Sequence, residues 1–512
     1  MNTLYFGDNL EDLRESIADR SVDLVYLDPP FNSGANYNII FQPEKKSAAK
    51  ATAQIQAFED TWTWSAEADE TYRRFVIDRD LTSQPPGERL IKLMTSMREY
   101  LGETPMMAYL TMMAPRLLEL RRVLKDTGSI YLHCDPTASH YLKLLMDAVF
   151  GVDYFRNEIV WHYSGWNKGL KHHFERRHDI VLFYGKGESQ QFNSFYIPYE
   201  SRDQYLRTRK QKVCIDTDGR AFTLDIRDDG KHQLRVYVDD TLNRGRPIDD
   251  VWSIDKLNNS AKEALGYPTQ KPQALLERII QASSNEGDVV LDPFRGCGTA
   301  VAAAQKLNRQ WVGIDITYLS IDLIAGRLRK TGLTEGKDFI IKGAPADVLG
   351  ADQLAARAPF QFQYWALSRI PGAMPSDRKT GDHGVDGVLH FWDPAKASKA
   401  GKGVISVKGT IAVNPGMVRD LAGTVDHQDA DFGILVTLQE PTEGMRTEAR
   451  KAGVYKYNNQ REIPRLQLVS AADLFKEYLP LQLPPEEVRN GRKMTIIAEP
   501  GADEAKGGLF GE

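Results

Sequence analysis

Apolar residues crowd into a short run at Val22, Leu24, Val25, Tyr26 and Leu27, within SVDLVYLDPPFNSGANY (21–37). The run is β-rich and predicts a buried strand that stops abruptly on an acid, two prolines and an aromatic. A second block, GDVVLDPFRGCGTAVAAAQKLNRQWVGIDI (287–316), changes period as it goes. Val289 to Leu291 predict a strand, DPFRGCGT a glycine-containing turn, AVAAAQKL a helix with alanine-rich packing, and WVGIDI a second strand ending at Asp315. That is a strand–loop–helix–strand unit of the nucleotide-binding kind. Before it, YPTQKPQALLERII (267–280) turns through Pro268 and Pro272, then becomes an amphipathic helix with Leu275, Leu276, Ile279 and Ile280 on one face. Near the C-terminus, MVRDLAGTVDHQDADFGILVTLQEPTEGMRTEARKAG (417–453) predicts helix, strand, loop and helix.

A length of 512 residues fits two to four domains, and 42% apolar residues are enough for globular cores. No run of eighteen apolar residues occurs, so no membrane span is expected. The opening MNTLYFGDNLEDLRE turns polar and acidic at once, unlike a signal peptide. Three dispersed cysteines, Cys134, Cys214 and Cys297, have no paired metal spacing. They imply a reduced, cytoplasmic protein without disulfides or structural zinc. The net charge of −5 does not advertise nucleic-acid binding, but local clusters matter more than the total.

The stretch Asp28-Pro29-Pro30-Phe31 has an unusual polarity. Proline lacks an N–H, so positions 29 and 30 offer only carbonyl acceptors, and an ionised Asp28 is acceptor-only too. Each residue before a proline is pushed towards extended geometry. An acceptor cluster beside a flat ring suits a planar ligand carrying an NH2 group; an ordinary strand end with a proline-rich turn would read the same way. In the second block, Gly296 and Gly298 allow close backbone approach to a ligand, and the helix N-terminus favours electronegative groups. An acid at the next strand end, Asp315, can hold ribose hydroxyls. A dinucleotide fold would want G-x-G-x-x-G; here the pattern is Phe294-x-Gly296-x-Gly298, preceded by Asp292.

That loop resembles the S-adenosylmethionine loop of Rossmann-like methyltransferases. Paired with D-P-P-F it resembles the DNA amino-methyltransferases. The acceptor cluster comes first and the cofactor loop about 260 residues later, which resembles the circularly permuted β class. Protein-glutamine and ribosomal methyltransferases share a Pro-Pro motif but normally carry the cofactor loop first. YFGDNLEDL (5–13) resembles the segment where Asp8 would bond the cofactor's adenine, and in YPTQKP, Thr269 or Lys271 would touch its methionine carboxylate. GSIYLHCDP (128–136) looks like the next sheet strand, with NEIVWHYSGW and RHDIVLFYGK as the hairpin after it. The resemblance covers 1–190 and 266–345. It implies an α/β, Rossmann-like S-adenosylmethionine-dependent methyltransferase with permuted motif order. Residues 1–190 would form the catalytic region, with a helical insert at 42–104; a target-recognition region would occupy 191–265 and the cofactor-binding region 266–345.

The resemblance also implies a chemistry. The target base in double-stranded DNA would be flipped from the stack. Phe31 would stack on it, while Asp28 and the Pro29 carbonyl accept its amino hydrogens and aim the nitrogen at the cofactor's methyl group. Positioning supplies much of the rate, and no covalent intermediate is needed. The Asp-Pro-Pro form resembles adenine-N6 enzymes; cytosine-N4 enzymes more often show Ser at position 28. Trp62 and Trp64 in the insert are candidate DNA contacts, although packing explains them as well. YLRTRKQK (205–212) and Lys168, Lys171, Arg176 and Arg177 suit phosphate contacts, or a solvated charged face. A homodimer is the default in this class.

Beyond 345 the chain carries a linker-like stretch and an apolar helix (343–370), then GDHGVDGVLHF and GVISVKGT. An acid before one strand and a lysine one hairpin later resemble the PD-(D/E)xK nuclease fold of the Mrr-like type, an α/β restriction-endonuclease-like domain over 346–490. Asp386 would then be a metal ligand and Lys408 would assist the attacking water, around Mg²⁺. The pattern departs from the family: Ser406 stands where Asp, Glu or Gln is expected, and Gln361 and Gln363 where relatives often place Glu. Asp382 is a candidate substitute ligand. The Gly-rich, acidic stretch 491–512 has the composition of a disordered tail. The expected function is DNA adenine methylation with an appended nuclease-like module, in a setting with or without a separate restriction or defence subunit. A fused enzyme that also cuts DNA, an RNA or protein methyltransferase, and a non-enzymatic DNA-binding protein are the rivals.

Overall fold

The computed structural model describes residues 1–30, 36–41, 53–59, 63–165, 172, 174–226, 233–258, 261, 263–264, 270–376, 384–396, 401–476 and 478–485. Phe31, Trp62, Lys168, Lys171, Thr269, Asp382 and the 491–512 tail therefore lie outside the described residues. The chain divides into two compact units, Met1–Tyr37 with Phe58–Gly343 and Asn38–Ala57 with Ala344–Glu512.

The first unit is built on nine strands: β1 (Asn2–Phe6), β2 (Val22–Leu27), β3 (Leu124–Cys134), β4 (Phe155–His162), β5 (His178–Gly185), β6 (Val251–Ser253), β7 (Val289–Asp292), β8 (Gln310–Asp315) and β9 (Phe339–Lys342). Their order across the sheet is β6-β4-β5-β3-β2-β7-β8-β1-β9. Every neighbour pairs parallel except β5, which runs antiparallel to both β3 and β4. Strands buried on both faces read as continuous apolar runs, which is why 22–27 shows no strict alternation.

Helices cover both faces. On one side α1 (Asn9–Ser16), α2 (Glu88–Leu101), α3 (Pro105–Val123) and α4 (Ser139–Phe150) pack with Val25 and Leu27. On the other, α5 (Gln273–Ser283), α6 (Thr299–Lys306) and α7 (Tyr318–Lys330) pack with Leu4, Leu24 and Tyr26. The predicted stripe on α5 is realised: Leu275, Leu276, Ile279 and Ile280 are fully buried. Burying each such side chain contributes about 1.5–3 kcal/mol.

The stretch 42–104, read as a helical insert, opens differently. Residues Ala53–Glu59 form a strand paired with Asn36–Phe41 in a separate two-stranded sheet, and helices follow only from Ala66. The region 191–265 makes a small three-stranded sheet, a second strand pair and two short helices, and its β6 joins the edge of the main sheet.

The second unit has a five-stranded sheet. Its main strands are β10 (Gly387–Phe391), β11 (Gly401–Lys408), β12 (Phe432–Thr437) and β13 (Leu466–Ser470), in that order, with Met374–Pro375 at the edge of β10. β10 is antiparallel to β11, and β11, β12 and β13 are parallel. Helices α8 (Pro359–Ser368), α9 (Pro415–His427) and α10 (Glu443–Lys451) accompany them. The 343–370 stretch, which begins linker-like in sequence, carries a helix before α8, Val348–Arg357, and its N-cap Asp347 accepts from the Gly350 N–H at 2.8 Å.

Candidate active site

Parallel pairing of β2 with β7, Val290 opposite Leu24 and Leu291 opposite Val25, sends Asp28 and the Asp292-Pro293-Phe294 turn off the same edge side by side. Chain order changes direction across this pair: β7 continues to β8 on one side and β2 to β3 on the other. Ligands bind at such switch points, beyond the carboxyl ends of the strands.

Around Asp28 the structure assembles ionisable groups from several segments. Lys271 donates from Nζ to Asp28 Oδ2 at 2.6 Å. On the other oxygen, Oδ1 stands 3.9 Å from Nδ1 of His133, which is fully buried on β3. Tyr26 places its hydroxyl 3.0 Å from that same Nδ1. His133 Nε2 lies 3.2 Å from Asp179 Oδ2 on β5, and Tyr163 donates to Asp179 Oδ1 at 3.0 Å. Burial opposes ionisation of Asp179, yet the His133 hydrogen bond and charge, with Lys256 and Lys271, hold its carboxyl down at about 2. Lys256 lies over the Tyr163 ring, 3.7 Å from its centroid. Pro29 is buried beside Asp28, and Pro30 half-buried.

The second block forms a cradle. Gly298 sits at φ +76° as N-cap of α6 with no side-chain cap, and Gly296 at φ +49°. An uncapped helix start keeps backbone N–H donors available to a ligand. A Cβ on Gly298 would lie 2.5 Å from Ile324 Cγ1, so only glycine fits. Asp315 accepts from Gly296 N at 3.1 Å and from Thr317 N and Oγ1 at 2.8 Å each. Asp292 accepts from Phe294 N at 3.1 Å. Burial drives the Asp292 carboxyl up to about 8; the Phe294 N–H and Arg295 oppose this, and Asp28 and Asp315 add to it. Burial likewise raises Asp315, against Arg295 and the N–H groups on it. Arg295 lies buried beneath the loop, donating to the Gly313 carbonyl at 3.3 Å.

Asp8 caps α1 through the Leu10 N–H at 2.7 Å and pairs with Arg116 Nη2 at 2.9 Å. Its neighbour Asn9 donates to the Pro293 carbonyl at 2.8 Å and so ties the start of α1 to the DPF turn. The structure thus gathers Asp28, Pro29, Pro30, Lys271, Asp292, Phe294, Gly296, Gly298 and Asp315 at adjacent strand ends. It puts the Lys271 ammonium on Asp28. Sequence reading missed His133, Asp179, Tyr26 and Arg116. Two signals were there: a histidine inside the apolar run IYLHC and an aspartate opening the apolar run DIVLFY.

Of the basic clusters, Arg209 pairs with Asp225 at 3.0 Å, Arg176 donates to Thr137 Oγ1 at 3.3 Å, and Arg177 to the Gly165 carbonyl. Trp64 packs under the Arg98 guanidinium, 4.7 Å from its centroid.

A DNA methylase family model matches residues 22–325, more than half of the sequence. The chain belongs to the DNA methylase family. A restriction endonuclease model matches residues 373–476. Among relatives, the type II methyltransferase M.HpaI of Haemophilus parainfluenzae is 33% identical over 212 residues, covering 41% of this chain and 57% of its own. The type II methyltransferase M.EcaI of Enterobacter cloacae is 29% identical over 260 residues, 43% of this chain and 57% of the relative. This methylase thus spans little more than half the length of either. The DNA adenine methyltransferase YhdJ of Escherichia coli (strain K12) is 26% identical over 324 residues, 63% of this chain and 81% of the relative. Of solved structures, PvuII DNA methyltransferase (cytosine-N4-specific) is similar over 65% of this chain and 89% of its own, at 15% identity and TM-score 0.37.

In the second unit of this methylase, Asp386 immediately precedes β10. Its Oδ2 accepts from Val407 N at 2.7 Å and Ser406 Oγ at 3.4 Å, and its Oδ1 from Gln363 Nε2 at 3.1 Å. Lys408 follows Ser406 by two on β11, hence on the same strand face. Asp386, Gln363 and Ser406 come together, with an amide and a hydroxyl where carboxylates would serve a hard cation. Among the described residues no group of three or more His, Cys, Asp or Glu is placed to hold a metal. These donors do not fit Mg²⁺.

Proposed function

We propose that this methylase transfers a methyl group from S-adenosylmethionine to the exocyclic N6 of an adenine flipped out of double-stranded DNA. The observation that carries the reading is the juxtaposition of Asp28 with the 292–298 loop at neighbouring strand ends. The cofactor fits the cradle on this chain's own terms. The uncapped α6 start would take its carboxylate, Gly296 and Gly298 give backbone access, and Asp315 stands at the strand end where ribose hydroxyls are held. When bound, it supplies an electrophilic methyl group. Asp28 and the Pro29 carbonyl accept the amino hydrogens and orient the nitrogen lone pair, with Phe31 stacking on the base. Aspartate rather than serine at position 28 favours adenine over cytosine-N4, as does the likeness to an adenine methyltransferase.

The second unit acts on this reading as a DNA- or partner-contacting module and not as a Mg²⁺-dependent nuclease, because Gln363 and Ser406 occupy the positions around Asp386. A domain plan goes with it, in a reduced cytoplasmic setting: a catalytic region over residues 1–190, a recognition region over 191–265 and a cofactor-binding region over 266–345. The test is tritiated S-adenosylmethionine offered with unmethylated duplex DNA, RNA and protein, with and without Mg²⁺. Label in the duplex without fragments is expected. Label confined to RNA or protein overturns the substrate, and Mg²⁺-dependent fragments overturn the role of the second unit.

A further inference from the structure

We propose that His133, backed by Asp179, is a positioning residue that drains through Asp28 the proton released by methyl transfer. The inference rests on the reading of the Asp28 site given above. Its basis is a line of groups that the methyl-transfer step itself does not use. Asp28 Oδ2 is held by Lys271 at 2.6 Å, which leaves Oδ1 facing His133 Nδ1 at 3.9 Å. On the far side of the ring, Nε2 meets Asp179 at 3.2 Å. Asp179 is held ionised by that contact and by nearby lysines, against its burial, so it accepts the Nε2 proton. The Nδ1 lone pair then points at the Tyr26 hydroxyl and Asp28. A histidine with no solvent exposure, held between two carboxylates, is costly to build into a sheet unless its charge state serves the site.

The balance closes. The N6–CH3 bond forms as the C–S bond breaks, and its electron pair stays on sulfur as a neutral thioether. The methylated nitrogen carries one proton too many. That proton passes to Asp28 Oδ1 and, across the 3.9 Å that separates them, through one bridging water to His133 Nδ1, displacing the Tyr26 hydroxyl from its lone pair. The charge that arrived on the sulfonium ends on an imidazolium between Asp28 and Asp179, until product release returns the proton to water. Among the described residues, the ionisable groups around this line are Tyr26, Asp28, Cys134, Asp135, Glu158, Tyr163, Asp179, Lys256, Lys271, Asp292 and Cys297.

Single-turnover transfer by the full chain, followed across pH with cofactor and DNA affinities measured in parallel, tests the proposal. Asp179→Asn, near-isosteric, is expected to slow transfer by about 10²-fold with affinities unchanged. The acid limb of its pH–rate profile should move relative to the wild-type chain. His133→Gln keeps hydrogen bonding but takes no proton, and should lose that limb. A slowed Asp179→Asn with an unmoved limb makes the pair merely structural and overturns the proposal, as does transfer at the wild-type rate in either variant. If the wild-type chain methylates no DNA, the reading of the site falls and this inference with it. Wild-type transfer with indifferent variants sinks the inference alone.

Discussion

Both units of this methylase set an aspartate at one end of a buried strand, and they differ in what else arrives. Asp28 receives an ammonium at 2.6 Å and faces a histidine that is itself held by a second carboxylate. Asp386 is held by a backbone N–H, an amide and a hydroxyl. Sheet topology delivers a single acid to a strand end in either case. Chemistry requires further groups whose charge can change or be shared; β3, β5 and the segment before α5 bring them to Asp28, whereas α8 and β11 bring a neutral amide and hydroxyl to Asp386. On the proposed reading the first arrangement orients an amine and moves a proton, whereas the second holds a carboxylate with an amide and a hydroxyl and, among the described residues, brings no second acid to it.

The comparison breaks most easily at Asp28. Asp28→Ala should cut methyl transfer by about 10³-fold while S-adenosylmethionine affinity is kept. Wild-type transfer by that variant, in a single-turnover assay, would remove Asp28 from the chemistry. Gly298→Val comes next. The position has φ +76° and a Cβ there meets Ile324 Cγ1 at 2.5 Å. The left-handed backbone alone costs about 1–2 kcal/mol, so cofactor affinity should fall at least about tenfold. Equilibrium dialysis giving wild-type affinity would place the cofactor elsewhere.

For the second unit, calorimetry should detect no Mg²⁺ site in the wild-type chain. The double variant Gln363→Glu with Ser406→Glu should bind Mg²⁺ at least about tenfold more tightly. Equal affinity in the two would show that these positions are not what separates the sites. The smallest effect concerns Asp292. Its folded carboxyl is raised from 3.8 to about 8, so the folded state favours the neutral form. That stabilisation is full below about pH 4 and is lost as pH rises towards 8. The cofactor-free chain should therefore melt lower across this window, and Asp292→Asn should flatten that decline. An unchanged slope would show that Asp292 does not titrate there.

Much of this was legible in the residues because it is local. The acceptor cluster follows from what proline and aspartate can do, and 287–316 spells out its own strand, turn and helix. The pairing of the two loops needed motif order, since β2 and β7 are far apart in the chain. The contact between His133 and Asp179 was not legible, because the two meet only when β5 turns antiparallel beside β3 and sets His133 opposite Val181, near the Asp179 end of the strand. Lys271 reads in sequence as a cofactor contact, and in the fold it reaches Asp28. Asp8 reads as an adenine contact, whereas its carboxylate is shared between the start of α1 and Arg116. In the second unit the substitutions at 363 and 406 were visible in the sequence, and the fold adds that both side chains converge on Asp386.

The measurement that bears most directly on the central claim is the identity of the methylated nucleoside. Duplex DNA labelled by this chain from tritiated S-adenosylmethionine would be digested to nucleosides and separated. Tritium in N6-methyladenosine (deoxy form) is the predicted result. Tritium in N4-methylcytosine, or a cofactor-bound protein that labels no base at all, would contradict it.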